Sequence, residues 1–174
     1  MQTWVIIIII VAVLIVLYLI VAVICYFLLK RAQNKAFDAM QELIPYEKER
    51  LDVIIKAKDA LLDDNRHFPN EMAELVQSTE DILNTNPVDV GKAKGQSDFL
   101  IIYFTKYIKE KKLINRGNYK EIVDELDAHL HMDDKDKDSP YNKYDRKAMS
   151  YNAYLNLIFI PGFIRHRYQQ APIL

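Results

Sequence analysis

The chain has 174 residues with 23 basic and 24 acidic side chains, a net charge of −1 that lacks the basic excess of a nucleic-acid-binding domain. Its four glycines form no GxGxxG and no GxxxxGK(S/T), so nucleotide binding by those loops has no support. Tight β-hairpins also need glycine at positive φ, while the abundant Lys, Glu, Ala and Leu favour helices.

The first element is apolar. Trp4 to Leu29, 26 residues, hold no charged side chain. About 20 apolar residues span a bilayer as a helix, and lipid demands a helix because it offers the backbone no hydrogen-bond partner. β-branched residues dominate the run, but satisfying the backbone in lipid outweighs that weak strand preference. A cleaved signal peptide needs a basic start, a shorter apolar run and a small-residue exit. Met-Gln-Thr and Tyr26-Phe27-Leu28-Leu29 offer neither end of that pattern, so the expectation is a retained anchor. Lys30, Arg31 and Lys35 all follow the run, which predicts an outside N-terminus and a cytoplasmic C-terminal domain. The single cysteine, Cys25, lies inside the run and cannot form an intramolecular disulfide.

Beyond the anchor, residues 31–62 repeat apolar groups at helical spacing, with Phe37, Met40, Ile44, Leu51, Ile54 and Leu61 as the expected inner face. Pro45 either kinks this helix or begins a new one, so the anchor helix is expected to reach about Ile44 and a second stretch about Leu62. Residues 63–72 read as a break and 70–84 as a helix with Met72, Leu75, Val76, Ile82 and Leu83. Residues 85–97, with a proline and two glycines, read as a loop. The dense apolar run 98–112 predicts a buried helix, 114–118 a turn and 119–131 an amphipathic helix. A polar connection over 133–140 leads to a last helix over 141–158, with Tyr144, Ala148, Tyr151, Leu155 and Ile158 on its core stripe. Asn152 and Asn156 sit beside that stripe, placed to grip a neighbouring helix. The sum is an all-α protein: a transmembrane anchor (1–30), an antiparallel up-down helical bundle of four or five helices (31–158) and an aromatic, basic tail (159–174).

Candidate chemistry is sparse. His129 and His131, with Asp133, Asp134, Asp136 and Asp138, invite a metal. However, two histidines at i and i+2 point apart on a helix. Asp134-x-Asp136-x-Asp138 opens like an EF-hand loop, but Ser139 stands where glycine is needed and Asp145 where glutamate closes the loop. A solvated acidic turn is the better reading. His67 and His166 stand alone, and the lone cysteine lies in the lipid-facing run, so no nucleophile–base set is arguable. Paired carboxylates such as Asp63-Asp64 and Glu47/Glu49 fall on polar helix faces, where charge is expected. The expectation is therefore no catalytic activity, no cofactor and no metal.

Charge is uneven near the end. Residues 119–138 carry eight acidic and three basic groups, whereas 141–168 carry one acidic group and five basic ones. Pairing between neighbouring helices would account for part of this. Past Ile160 the helix cannot continue through Pro161. Phe163, Ile164 and Tyr168 around Arg165 and Arg167 suit an anionic membrane interface or a partner's groove.

Tyr144-Asp145 and Tyr151-Asn152, seven residues apart and followed by Phe159-Ile160-Pro161, resemble the end of the LemA family of bacterial membrane proteins. That family carries two Tyr-Asn units at this spacing and then a Phe-Pro step. Here the first unit has Asp for Asn, and one residue separates Phe from Pro. Asn115 to Leu126, "NRGNYKEIVDEL", is similar to the family's turn into its "EL" helix, and "ERLDVII" at 49–55 is a distant echo of its "RRxDLIP". The resemblance covers 113–164 best. It implies a single-pass anchor bearing a helical bundle, with no established enzymatic activity or cofactor.

These readings converge on a membrane-anchored, non-catalytic scaffold or adapter in a cell membrane. The bilayer would hold residues 4–29, and an unknown membrane or cytoplasmic protein would meet Tyr151, Asn152, Phe159, Pro161, Phe163, Arg165, Arg167 and Tyr168. The alternative is an accessory subunit of a membrane enzyme, transporter or secretion complex that packs through its span. The span has no small-xxx-small face, though Ala12 and Ala22 are small.

Overall fold

The computed structural model describes residues 2–131, 138–157, 162, 166 and 168–174. Among these, every regular element is helical: α1 (Gln2–Asp63), α2 (Asn70–Asn84), α3 (Val90–Glu110), α4 (Tyr119–Leu130) and α5 (Pro140–Leu155). The chain divides into two compact units. One joins Met1–Asp38 to Asp145–Ile173, and the other is Ala39–Tyr144 with Leu174.

α1 is a single helix of 62 residues with Pro45 inside it. The expected break near Ile44 does not occur. Proline removes one N–H and strands the carbonyl four residues back. Pro45 and Gln41 are both exposed, so that carbonyl can turn to water. The early part of α1 is long and apolar enough to cross a membrane, and its side chains from Val5 to Ile20 are all exposed.

The buried face of α1 differs from the expected one. Its positions are Ala22, Cys25, Leu29, Ala32, Ala36, Ala39, Leu43, Tyr46, Arg50, Ile54, Ala57 and Leu61, always three or four residues apart. Leu51, Ile54 and Leu61 are buried as expected, but Phe37 is 56% exposed and Met40 and Ile44 are only half-buried. The alanine row beside them is buried instead, because small side chains let another backbone come close.

α1 and α3 end alike. Asn65 N–H donates to Leu62 O at 2.9 Å and Arg66 N–H to Leu61 O at 2.9 Å. Lys112 N–H donates to Lys109 O at 3.1 Å and Leu113 N–H to Ile108 O at 3.0 Å. Each is a Schellman stop, and each needs a left-handed residue: Asn65 and Lys112 both sit at φ 54°. Leu113 and Ile108 are both buried, supplying the apolar contact that accompanies this motif.

α3 starts earlier than expected. Asp89 caps it by accepting from Lys92 N–H at 3.0 Å, so 90–97 is helix, not loop. Gly91 and Gly95 weaken this turn, but Val90, Ala93 and Ser97 bury one face of it and outweigh them. The apolar run that follows is buried on one side only: Leu100, Ile101, Phe104 and Ile108 are inside, while Phe99 and Ile102 are half-exposed.

In the second unit, α2 packs on α3 and α3 on α4. Val76, Leu83, Leu100, Phe104, Ile108 and Leu126 fill the core together with Ile54 and Leu61 of α1. Tyr119 at the head of α4 donates to this assembly: its Oη lies 2.9 Å from both Ala60 O and Asp64 Oδ2. Burial and the neighbouring Asp64 push the phenol up to about 12.

Lys112 bears the cost of a left-handed backbone without glycine's freedom, of order 1 kcal/mol. Lys112→Gly is therefore expected to stabilise the protein by about that much. Thermal unfolding of the full chain in detergent, followed by circular dichroism, should show a higher midpoint; an unchanged or lower one removes the strain at this turn.

Candidate functional site

Two constellations stand out, one in each unit. The first contains residues singled out by the sequence. Tyr151 and Leu155 of α5 pack on Cys25, Leu29, Ala32 and Ala36 of α1, with Tyr154, Tyr168 and Ala171 against the same cluster. The α1 residues are spaced by four, three and four, so they form one narrow stripe of mostly small side chains. A tyrosine ring fits over such a row.

The polar atoms of Tyr151 and Asn152 then take hold of the chain end. Tyr151 Oη donates to Gln169 O at 2.9 Å. Asn152 Nδ2 donates to Ala171 O at 2.9 Å, and Ala171 N–H donates to Asn152 Oδ1 at 2.8 Å. One carboxamide thus satisfies both backbone groups of Ala171, as a neighbouring strand would. The stretch 168–174 has no regular structure of its own, so these bonds replace the ladder it lacks. Tyr151 is 3% exposed, and burial raises its pKa.

The predicted clamp by asparagine is real at Asn152, but it grips the returning chain, not a helix. Asn156 is exposed, and its N–H closes the last turn of α5. Tyr168 lies half-buried on the α1 stripe. Phe159, Pro161, Phe163, Arg165 and Arg167, like Ile158, lie outside the described residues.

The second constellation was not singled out in the sequence, and it corrects the placing of Glu47 on a polar helix face: that carboxylate is inside the protein, beside Arg50. Glu47 and Arg50 are fully buried, at 0% and 1% exposure. Arg50 Nη1 donates to Glu47 Oε1 at 3.0 Å and to Tyr141 Oη at 2.8 Å, and Nη2 donates to Asp98 Oδ1. Lys94 Nζ reaches Asp98 Oδ2 at 3.1 Å and stands 4.9 Å above the Tyr141 ring. Tyr46 meets the Tyr141 ring edge-on at 5.4 Å and the His129 ring at 5.8 Å. Two cations and two carboxylates from α1 and α3 therefore close into a neutral set under aromatic cover.

Burial pushes the Glu47 carboxyl up, and Arg50 recovers only part of that shift. Burial alone would lower Arg50, but Glu47 and Asp98 together hold its pKa above the usual value. His129 is pushed down by burial, with Arg50 adding to the effect. One sequence signal was available: Glu47 and Arg50 fall beside and on the 43-46-50-54 row, where a surface pair does not belong.

The acidic run after His129 forms no metal site among the described residues, where no group of three or more His, Cys, Asp or Glu could hold an ion. Asp133, Asp134 and Asp136 lie outside those residues. His131 is exposed and His129 half-buried. The acidic face of α4 takes cations from other helices: Glu125 lies 3.4 Å from Lys56 of α1, and Asp127 lies 3.0 Å from Lys109 of α3. Comparison of the chain with family models, with curated proteins and with solved structures returned no match.

Two outcomes follow. Arg50→Ala strands Glu47 without its cation and should cost about 3–5 kcal/mol, whereas Glu47→Gln with Arg50→Met should cost clearly less. Denaturant unfolding of the full chain measures both; a loss below about 1 kcal/mol for Arg50→Ala would show the pair is not a keystone. Asn152→Ala should expose the Ala171 amide, so that its hydrogen exchange approaches the rate of an open chain. Continued protection would show that the clamp does not hold the segment in solution.

Proposed function

We propose that this protein is a membrane-anchored helical scaffold without catalytic activity, of the general type suggested by the LemA resemblance. Residues 4–29 lie in a bacterial cytoplasmic membrane with the N-terminus outside, and residues 30–174 form a cytoplasmic antiparallel bundle. The observation that carries this reading is the continuity of α1. One helix begins as an apolar rod long enough for a bilayer and goes on without a break to Asp63. A loop between span and domain would let the domain swivel; a helix holds the segment after Leu29 in line with the span. Such a mount suits a part that holds other proteins at a set distance from the lipid.

The basic triplet Lys30, Arg31 and Lys35, placed after the apolar run, supports the orientation. A subunit role remains the alternative, with the span packing against other helices. The small row that could serve such packing begins at Ala22, and from Cys25 onward it is occupied by α5 and the chain end.

Orientation and span are tested together by cysteine labelling in a Cys25→Ser background. With the full chain in intact cells, a membrane-impermeant maleimide should label Gln2→Cys and spare Lys92→Cys until the membrane is opened. Labelling of Lys92→Cys from outside would reverse the topology, and labelling of Lys92→Cys alone after opening would point to a buried or removed N-terminus.

A further inference from the structure

We propose that Glu47 is a buried proton-binding site, and that uptake of one proton there shifts Arg50 from its partner on α1 to its partners on α3 and α5.

Glu47 is wholly buried, yet only one of its oxygens is satisfied. Oε1 accepts from Arg50 Nη1 at 3.0 Å, while Oε2 has no hydrogen-bond partner among the described residues. The cation it depends on is shared. Asp98 accepts from Nη2 of the same guanidinium, and Tyr141 Oη takes a second bond from Nη1 at 2.8 Å. Asp98 is better served: it is 32% exposed, and Lys94 Nζ stands 3.1 Å from its other oxygen. Burial disfavours the charged form of a carboxyl group, and a shared cation offsets only part of that, so a proton relieves Glu47 more than any other member of the set.

The surroundings suit both states of the group. α3 brings Ser97, fully buried, whose hydroxyl also lacks a partner. A hydroxyl inside a helix commonly turns back to the carbonyl four residues before it, as Thr79 does to Leu75 O at 2.8 Å. Ser97 makes no such bond. Its hydroxyl can therefore donate to the carboxylate or accept from the acid. α4 faces the set with His129, which burial pushes towards its neutral form, and α5 faces it with Tyr141. Burial is the largest influence on the Glu47 carboxyl and raises its pKa; Arg50 and Ser97 oppose the rise without cancelling it, and the Asp98 charge adds to it.

When a proton from water binds at Oε2, one O–H bond forms, the carboxylate loses its charge and no covalent bond of the protein breaks. Oε1 still accepts from Nη1, but as a neutral oxygen, which makes a weaker bond with a cation than a carboxylate does. The charge of Arg50 is then balanced by Asp98. Glu47 and Arg50 are three residues apart on one helix, whereas Asp98 lies on α3 and Tyr141 on α5. Proton uptake thus moves strength from a local pair to the contacts that tie α1 to its neighbours.

The test is a titration of the full chain in detergent, with the glutamate carboxyl carbons isotope-labelled and read by NMR. The Glu47 signal, identified by its loss in Glu47→Gln, should titrate above the ordinary glutamate value of 4.5. Asp98→Asn, which leaves Arg50 to Glu47, should bring that midpoint down. Denaturant unfolding supplies a second reading. A carboxyl whose pKa is raised by folding lets the folded chain bind the proton first, so folding gains as pH falls from neutral towards 4.5 and the gain is lost as pH rises again. The folding constant of the wild type relative to Glu47→Gln should therefore rise by at least about threefold over that range. His129 acts with the opposite sign, because the folded chain resists its proton, but it does so in both proteins and cancels in the ratio. A midpoint at or below 4.5, or a ratio that stays level or falls, would overturn the proton site. A raised midpoint that Asp98→Asn leaves unmoved would overturn the sharing of Arg50. Should Glu47→Gln fail to fold, Asp98→Asn alone decides: a raised glutamate signal that it lowers supports the site, and the lack of one overturns it.

Discussion

The buried row on α1 is the constraint that the other elements have to satisfy. From Ala22 to Leu61 it advances by three or four residues at each step, so it stays on one side of a helix for its full length. Its chemistry changes along the way. From Cys25 to Ala39 it is mostly small, then it is crossed by Tyr46, Glu47 and Arg50, and it ends in aliphatic residues at Ile54, Ala57 and Leu61. Each stretch dictates its partner. Small residues accept the Tyr151 ring, the buried charges demand Asp98 and the Tyr141 hydroxyl, and the aliphatic end takes the apolar faces of α3 and α4. A shift of register by one turn would set Arg50 against apolar neighbours and leave Glu47 alone. The buried charges thus penalise misalignment more than they reward folding.

Much of this was legible. The apolar run, the helices over 70–84 and 119–130 and the turn at 114–118 follow from periodicity and turn residues, and they were found where expected. Where reading failed, a local rule met a stronger tertiary one. Pro45 suggested a break, but a proline on the exposed side costs one carbonyl that water can satisfy. Gly91 and Gly95 suggested a loop, but a capping aspartate and a buried face kept the helix. The inner face of α1 was drawn through Phe37, Met40 and Ile44 because bulk was taken as the sign of burial. Close helix contact prefers alanine, and an alanine row gives only a weak hydropathy signal.

The candidate sites divide in the same way. Tyr151 and Asn152 stood out because an asparagine beside an apolar stripe needs a partner, and that need is met. What they grip was not legible, since a contact between residue 152 and residue 171 depends on how the intervening chain turns back. Arg50 went unnoticed for the opposite reason. In a charge-rich helix a Glu-Arg pair three residues apart looks like a surface pair, and only its place on the buried row marks it as different.

The two Tyr-Xaa units of α5 show how much a single atom decides. Tyr144 and Tyr151 are seven residues apart, nearly two helical turns, and both are buried. The residue after each tyrosine therefore leans the same way. At 152 it is asparagine, which both donates and accepts, and so can serve the N–H and the carbonyl of one residue together. At 145 it is aspartate, which when ionised only accepts. A carboxylate there cannot pair with a backbone carbonyl, so the two-way grip seen at Asn152 cannot form at that level. The two-way clasp is made at the asparagine, next to Tyr151, whose ring packs on α1 between Cys25 and Ala36.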